Sequence, residues 1–166
     1  MAGLQPPPES PITDEIAAFL AQGVSILVGT CDADGNPACM RATGIRLADD
    51  RRHATVYLPE ATSRHTLTNV RANARVAVYL SYPLDHRSYQ LKGPVTAVAP
   101  ADESARADIE RYMEVWSGAV EHIGMPLEVL MTVARWPSVA LQFRIDELFL
   151  QTPGPGAGAL LPGRTP

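Results

Sequence analysis

The sequence has two cysteines, few lysines and no long hydrophobic run, and each scarcity removes a class of protein. The longest apolar stretch, near Val24–Val28, is far too short to span a bilayer. The net charge is −4, so no overall basic field exists that could neutralise a nucleic-acid backbone. We therefore expect neither a membrane nor a nucleic acid as a partner.

Cysteine usage and the N-terminal residues both favour a cytoplasmic protein. The segment MAGLQPPPESP lacks the basic region and the apolar core of an export signal. Cys31 and Cys39 suit a reducing compartment, in which thiols stay free. They flank the first predicted hairpin, where they could lie opposite each other as buried free thiols. A zinc site would need more ligands at closer spacing.

The composition predicts one globular domain with two irregular ends. The chain has 166 residues, of which 46% are hydrophobic and 19% charged, enough for a full core. Four prolines within residues 1–11 predict an extended, flexible arm. The folded domain is predicted over residues 12–152, followed by a Gly/Pro-rich tail over residues 153–166.

Six strands and a few helices are predicted from the hydrophobic periodicity. The strands are Val24–Cys31, Ala38–Leu47, Ala54–Leu58, Arg75–Tyr82, Arg87–Val98 and Ser138–Gln151. A short helix precedes the first strand, and further helices are predicted over Thr62–Asn73, Asp102–Ile123 and Leu127–Ala134. Leu67 and Val70 give the helix Thr62–Asn73 a narrow apolar stripe, and the helix Asp102–Ile123 has an apolar packing face of Ile109, Tyr112, Met113, Trp116 and Val120. Pro94 predicts a bulge or an edge position, and a bend is expected near Asp146. Strands that follow one another pair antiparallel, and a meander of this size tends to close into a barrel.

Cationic and hydroxyl side chains cluster around the second strand and the following helix. Arg41 and Arg46 lie five residues apart, so a regular strand would point them to opposite faces unless it bends, for example at Gly44. Ser63 and Arg64 come at the start of a helix, where free N–H groups bind phosphate. The ordinary alternatives are a solvent-facing arginine pair and a capping cluster. The pattern suggests a site for a phosphorylated cofactor.

Other sites are weakly indicated. The segment Asp32-Ala33-Asp34-Gly35-Asn36 looks like a calcium loop, but Pro37 and Thr43 stand where that loop needs glycine and glutamate. The histidines are scattered without metal-ligand spacing, and no Ser/His/Asp or Cys/His nucleophile is recognisable. That pattern is typical of an enzyme whose cofactor performs the reaction.

Four motifs in order give the chain its resemblance to a known family. They are Arg41 with Arg46, Tyr57 followed by Ser63-Arg64-His65, Asn73-Ala74-Arg75-Val76, and Gln90-Leu91-Lys92-Gly93. In order and spacing they resemble the pyridoxamine 5′-phosphate oxidase-like, FMN-binding split-barrel superfamily over about residues 13–152. The implied fold is a mainly β, six-stranded antiparallel split barrel with peripheral helices.

The resemblance implies FMN held at a homodimer interface and an oxidoreductase acting on a small molecule, with NAD(P)H as a candidate reductant. The arginine, serine and arginine cluster would hold the phosphate, and backbone of the second and third strands would face the ribityl chain and the ring. The implied cofactor-binding residues are Arg41, Ala42, Thr43, Arg46, Tyr57, Leu58, Pro59, Ser63, Arg64 and Gln90.

The chain also departs from the oxidase pattern. His65 stands where the family has lysine, which weakens the positive charge at neutral pH. The C-terminal Trp and Arg that close over pyridoxamine phosphate have no counterpart, so we do not expect that substrate. The QTPGPGAG segment could instead fold over the site or across the dimer. The alternative is a non-catalytic flavin- or haem-binding protein, with His65 or His86 as haem ligand; the acidic deazaflavin F420 suits the negative net charge less well.

Overall fold

The computed structural model of the protein describes residues 12–162. The predicted proline-rich arm, residues 1–11, and the last four residues lie outside the described part. The helices are α1 (Asp14–Leu20), α2 (Glu60–Asn73), α3 (Glu103–Glu121) and α4 (Leu127–Met131). The strands are β1 (Ser25–Cys31), β2 (Pro37–Arg41), β3 (Ile45–Leu47), β4 (His53–Pro59), β5 (Arg75–Ser81), β6 (Ser88–Pro100), β7 (Ser138–Arg144) and β8 (Glu147–Leu150).

The strands form a closed antiparallel barrel with the order β2-β1-β5-β6-β7-β4-β3, and β8 pairs with β6. Closure occurs at the bend between β2 and β3. There the N–H of Ala42 donates to the Ile26 carbonyl in β1 at 3.0 Å, and the next N–H, of Thr43, donates to the Tyr57 carbonyl in β4 at 2.9 Å. The segment 37–47 therefore bonds to both ends of the sheet, which leaves no open edge there.

The predicted six-stranded split barrel is confirmed, with a difference in strand count. Two long predicted strands are each broken once, between Arg41 and Ile45 and between Arg144 and Glu147, which gives eight strands. The second break confirms the bend expected near Asp146. Near Pro94 the register of β6 against β7 shifts between Val95 and Ala97, which confirms the expected bulge.

Alternating burial along the strands places the core inside the barrel. In β1 every second residue is buried, as expected for a strand with one face toward the core. The inward side chains with no exposed surface include Ile26, Val28, Val56, Val78, Leu91, Leu141 and Phe143. Helix α3 packs beside this core, and the Tyr112 hydroxyl on its buried face donates to the Val24 carbonyl at 2.8 Å. The expected packing role of this face of α3 is confirmed.

Gly93 lies where β6 passes from pairing with β8 to pairing with β7. A Cβ at this position would overlap the carbonyl oxygen of Arg144 and would lie 2.9 Å from its carbonyl carbon. The chain at the β7–β8 bend is held against β6 by the N–H of Asp146, which donates to the Lys92 carbonyl at 2.9 Å. Only glycine allows this close approach of two backbones.

Helix α2 differs from the sequence prediction in its start and in its buried face. It begins at Glu60 rather than Thr62, and its buried side chains are Ser63, Thr66, Asn69 and Val70 rather than a Leu67–Val70 stripe. Polar contacts hold it to β1: Asn69 Nδ2 donates to Thr30 Oγ1 at 3.1 Å. Hydrogen bonds formed only in the tertiary structure thus replace apolar packing, which hydrophobic periodicity does not detect.

The Gly/Pro-rich tail folds back along β8. The N–H of Gly158 donates to the Leu150 carbonyl at 2.8 Å, and the N–H of Leu161 donates to the Leu148 carbonyl at 2.8 Å. Thr152 Oγ1 accepts from the N–H of Ser88 at 3.0 Å, which fixes the start of the tail on β6. The tail therefore covers the edge of β8 within its own chain.

The two cysteines do not lie opposite each other. Cys39 pairs with Gly29 and Cys31 pairs with Pro37, so the two thiols occupy diagonal positions on one face of the β1–β2 hairpin. Both are free; Cys31 is partly buried and Cys39 is exposed, so the expectation of two buried thiols is wrong. Over residues 12–162 no helix is long and apolar enough to cross a membrane, and no group of three or more His, Cys, Asp or Glu side chains could hold a metal ion.

Candidate functional site

A cavity of about 300 Å³ opens at the β2–β3 bend, beside the end of β4 and the first turn of α2. It brings together three of the residues expected at the cofactor site, Arg41, Thr43 and Pro59. The remaining lining residues are Met40, Thr62, Val133 and Ala134. We call this space the α2 cavity.

The two arginines of the second predicted strand point to different places, because the chain breaks between them. The Arg41 guanidinium lies 5.0 Å from the ring centroid of Trp116 on α3, and its Nη1 donates to Ser25 Oγ at 2.9 Å. A cation over an indole face is attracted by the ring quadrupole. Arg41 thus borders the α2 cavity while its charged end is engaged by β1 and α3.

Arg46 lines a second cavity, of about 360 Å³, between α1, β3 and α3. Its Nη1 lies 3.4 Å from Asp108 Oδ2, and Arg111 Nη2 lies 2.6 Å from Asp108 Oδ1. The Tyr57 hydroxyl donates to the same carboxylate at 3.3 Å. Burial raises the pKa of Tyr57 to about 12; Arg46 lowers that pKa and Asp108 raises it. The cluster holds two cations and one carboxylate, so this second cavity is locally positive.

The backbone donors expected to face a ribityl chain are already used by the barrel. The N–H groups of Ala42 and Thr43 donate to β1 and β4, and the N–H of Tyr57 donates to the Gly44 carbonyl at 3.0 Å. The side chains of Ala42 and Leu58 are fully buried. The backbone N–H groups of Ala42, Thr43 and Tyr57 are therefore not free to donate to a ligand.

The start of α2 is exposed, although the N–H of Glu60, its first residue, donates to the Pro137 carbonyl at 2.9 Å. Its N-cap is Pro59, and no side chain caps the helix. Ser63 is buried in the helix and its Oγ donates to the Glu60 carbonyl at 3.3 Å, so the interpretation of Ser63 as a capping residue is wrong. Capping needs a side chain one residue before the helix, and α2 begins three residues before Ser63.

Arg64 is exposed on the first turns of α2, and within residues 12–162 its guanidinium has no hydrogen-bond or ion-pair partner. Thr62, two residues earlier, lines the α2 cavity. A helix start without a side-chain cap, a hydroxyl and a free guanidinium are each donors of the kind that bind a phosphate group. Glu60 in the first turn of the helix is the one acidic side chain that opposes it.

Gln90 lies far from the α2 cavity within one chain. It sits on the row Arg41–Leu27–Tyr79–Gln90, in which each residue pairs with the next across β2, β1, β5 and β6. Three strand spacings separate Gln90 from Arg41 by about 14 Å on the same face of the sheet. The Gln151 side chain donates to Gln90 Oε1 at 3.5 Å.

Several residues at these cavities were missed by sequence reasoning. Thr62 had a signal, since it stands beside the Ser63-Arg64 motif. Val133 and Ala134, which precede β7, carry no recognisable pattern. On α3, Trp116 contacts Arg41 and Asp108 contacts Arg46. No local sequence pattern predicts these contacts.

Comparison with known proteins identifies the family. The sequence of residues 12–145 matches the family described as pyridoxamine 5′-phosphate oxidase. The chain belongs to this family. The match covers the barrel from Ile12 through β7 and leaves β8 and the tail outside.

Solved structures of the same fold are similar in shape and distant in sequence. HupZ from Group A Streptococcus has a TM-score of 0.55 and 18% identity, covering 89% of this chain and 98% of that chain. An F420 reductase has a TM-score of 0.52 and 17% identity, covering 79% and 93%. A pyridoxamine 5′-phosphate oxidase-related, FMN-binding protein from Nostoc punctiforme has a TM-score of 0.50 and 13% identity, covering 93% and 88%. Comparison with curated proteins by sequence gives no match.

Proposed function

We propose that this member of the pyridoxamine 5′-phosphate oxidase family is an FMN-binding homodimeric oxidoreductase with a small substrate. The observation that carries the proposal is the α2 cavity, where Arg41 and Thr62 line a space at the start of α2, the helix that carries the exposed Arg64 on its first turns. Phosphate is the group that this donor set suits best. The FMN-binding protein from Nostoc punctiforme shows that the fold accommodates this cofactor.

The residues fit the phosphate end of FMN. Arg64 and Thr62 would hold the phosphate. Arg41 would add a second cation once its hydrogen bond to Ser25 is exchanged for one to the phosphate. Thr43 lines the cavity and would contact the chain that leads away from the phosphate. When bound, the flavin would supply the electron-transfer chemistry, while these residues bind and orient it.

A second copy of the chain is part of the proposal, because the α2 cavity is at the small end of the size range of ligand sites and is open on one side. The outer face of β1, β2 and β5 carries small and apolar residues, including Gly29 and Ala77, around a shallow groove of about 800 Å³ that Arg75 and Lys92 also line. An antiparallel sheet normally exposes a polar outer face, so this one suits contact with protein. Gln90, on the same face and about 14 Å from Arg41, would then serve the partner's cofactor.

The substrate is proposed to be a small anionic molecule, with NAD(P)H as the candidate reductant. The cavity beside Arg46 and Arg111 has a net positive cluster around Asp108. Two guanidinium groups that share one carboxylate keep donors free for a second anion.

The first experiment is the visible absorption spectrum of the purified protein, followed by titration with FMN. Arg64→Ala should weaken FMN binding by about 1.5–3 kcal/mol, the contribution of a hydrogen bond to a charged group. Arg71→Ala is the matched control, since Arg71 is an exposed arginine near the other end of the same helix. Equal affinities for wild type and the Arg64 variant would remove the α2 cavity from the proposal.

The spectrum also separates the alternative functions. Flavin bands with reduction by NAD(P)H support the oxidoreductase, whereas flavin bands without turnover favour a non-catalytic flavin carrier. A Soret band would favour haem binding, with His65 and His86 as the histidines to replace first. A colourless protein that fails to take up FMN would overturn the cofactor assignment and leave the fold unchanged.

A further inference from the structure

The exposed apolar surface of this protein is concentrated in one segment. Among residues 12–162, nine large hydrophobic side chains are exposed, and six of them fall between residues 115 and 131. They are Val115, Ile123, Met125, Leu127, Val129 and Met131. Exposed apolar residues scattered singly along a chain need no explanation, but a concentration in one segment points to an interaction site.

Part of this segment forms one wall of a groove of about 450 Å³ between α3 and α4. Leu127 and Met131, one helical turn apart on α4, are 49% and 62% exposed along this wall. Gly118 lies on the α3 side, and a Cβ built there would meet no atom within 4 Å, so the groove is open to a partner. Methionine adapts its shape to different partners, which suits a binding wall.

The opposite wall is acidic. Glu110, Glu114 and Glu121 line the groove from α3, at a spacing that places them on one side of the helix. Within the described residues, Glu114 and Glu121 have no ion-pair partner, and Glu110 has only Arg106 at 3.7 Å. Arg135 is the one cation among the residues that line the groove.

We propose that this α3–α4 groove binds an amphipathic, basic helix of another protein. Leucine-like side chains of such a helix would cover Leu127 and Met131, while its lysines or arginines would face Glu114 and Glu121. Binding of such a helix buries apolar surface that is otherwise exposed to solvent, and it supplies positive charges opposite the unpaired carboxylates.

Charge disfavours the other occupants of this surface. An anionic phospholipid surface attracts basic segments, whereas this wall carries carboxylates. A second copy in a two-fold contact would bring the acidic walls of both copies into one interface, where their like charges repel. The groove is also separate from the α2 cavity and from the cavity beside Arg46, since it shares no lining residue with either of them.

The test uses the full chain and a fluorescein-labelled helical peptide of leucine and lysine, with binding followed by fluorescence anisotropy. We expect saturable binding that weakens as salt rises, and no binding of a leucine–glutamate peptide of the same pattern. The double variant Leu127→Ser/Met131→Ser should reduce affinity at least about tenfold, because the apolar contact is lost. The double variant Glu114→Gln/Glu121→Gln should reduce affinity severalfold at low salt and less at high salt.

Leu84→Ser is the matched control for the apolar change, since Leu84 is 44% exposed in a different part of the molecule. FMN affinity should be the same in all these variants, so the result is independent of the proposed function. Equal peptide affinity in wild type and both double variants, or no binding of the basic peptide at low salt, would overturn the proposal. Self-association that the Leu127/Met131 variant abolishes would also overturn it, in favour of a second copy.

Discussion

Replacing Gly93 by alanine is the sharpest test of how the barrel is assembled. The added Cβ would overlap the Arg144 carbonyl oxygen and would lie 3.3 Å from the Asp146 nitrogen. These are backbone atoms, so no side-chain rotation can relieve the clash, and the β7–β8 bend must move away from β6. That movement strains the hydrogen bonds from Asp146 to the Lys92 carbonyl and from Ile145 to the Arg52 carbonyl.

The expected cost follows from these contacts. Overpacking in a tight site costs about 1–3 kcal/mol, and each weakened hydrogen bond adds about 1 kcal/mol. We therefore expect Gly93→Ala to lower the free energy of unfolding by about 3–5 kcal/mol. For a domain of this size the midpoint of thermal unfolding should fall by on the order of 10 °C.

Urea denaturation followed by tryptophan fluorescence measures this loss. Gly118→Ala is the control, since Gly118 lies within α3 and an added Cβ meets nothing within 4 Å. That change should be neutral or stabilise the protein by up to about 1 kcal/mol, because alanine favours helix more than glycine does. A Gly93 variant within about 1 kcal/mol of wild type would refute the assigned packing of the β7–β8 bend on β6.

Three further predictions follow from single contacts. Arg41→Ala should weaken FMN binding by about 1.5–3 kcal/mol, and unchanged affinity in a titration would remove Arg41 from the site. The pKa of Tyr57 is raised from 10.0 to about 12, so the neutral phenol stabilises the fold below pH 10 and this stabilisation is lost as pH rises through 12. Tyr57→Phe should reduce the loss in free energy of unfolding between pH 9 and pH 11.5, measured by denaturation at each pH. An equal loss in wild type and variant would contradict the raised pKa of Tyr57. Asn69→Ala leaves Thr30 Oγ1 buried without its partner and should cost about 1–3 kcal/mol in urea denaturation, whereas the exposed Thr68→Ala should cost much less.

Much of the fold could be predicted from the sequence because apolar runs bounded by turn residues indicate strands. The runs Val24–Cys31 and Arg75–Tyr82 were predicted in this way, whereas the pairing of β1 with β5 was decided by closure of the barrel. The expected bend near Asp146 and the bulge after Pro94 were also predicted, since these residues disrupt a regular ladder locally.

The start of α2 shows why local patterns can fail. Hydrophobic periodicity favoured Leu67 and Val70 as the buried face, but the buried side chains are mainly polar, and one of them, Asn69, bonds to β1. A helix face of Ser63, Thr66 and Asn69 resembles a solvated surface until its partners are known. The same limit affected the site prediction. Ser63 was placed at the start of the helix, whereas α2 begins three residues earlier, at Glu60.

What the sequence alone determined is the family, the strands and three of the residues that line the α2 cavity, since these depend on local periodicity and on short motifs. What the tertiary structure decided is where the charges point. Arg41 and Arg46 stand five residues apart, yet α3 engages them through Trp116 and through Asp108, which is 62 residues from Arg46 in the chain. The break between β2 and β3 and the packing of α3 place the two arginines at separate cavities. Contacts between residues so distant in sequence arise only when the barrel closes, because only then does β4 bond to the segment that carries both arginines.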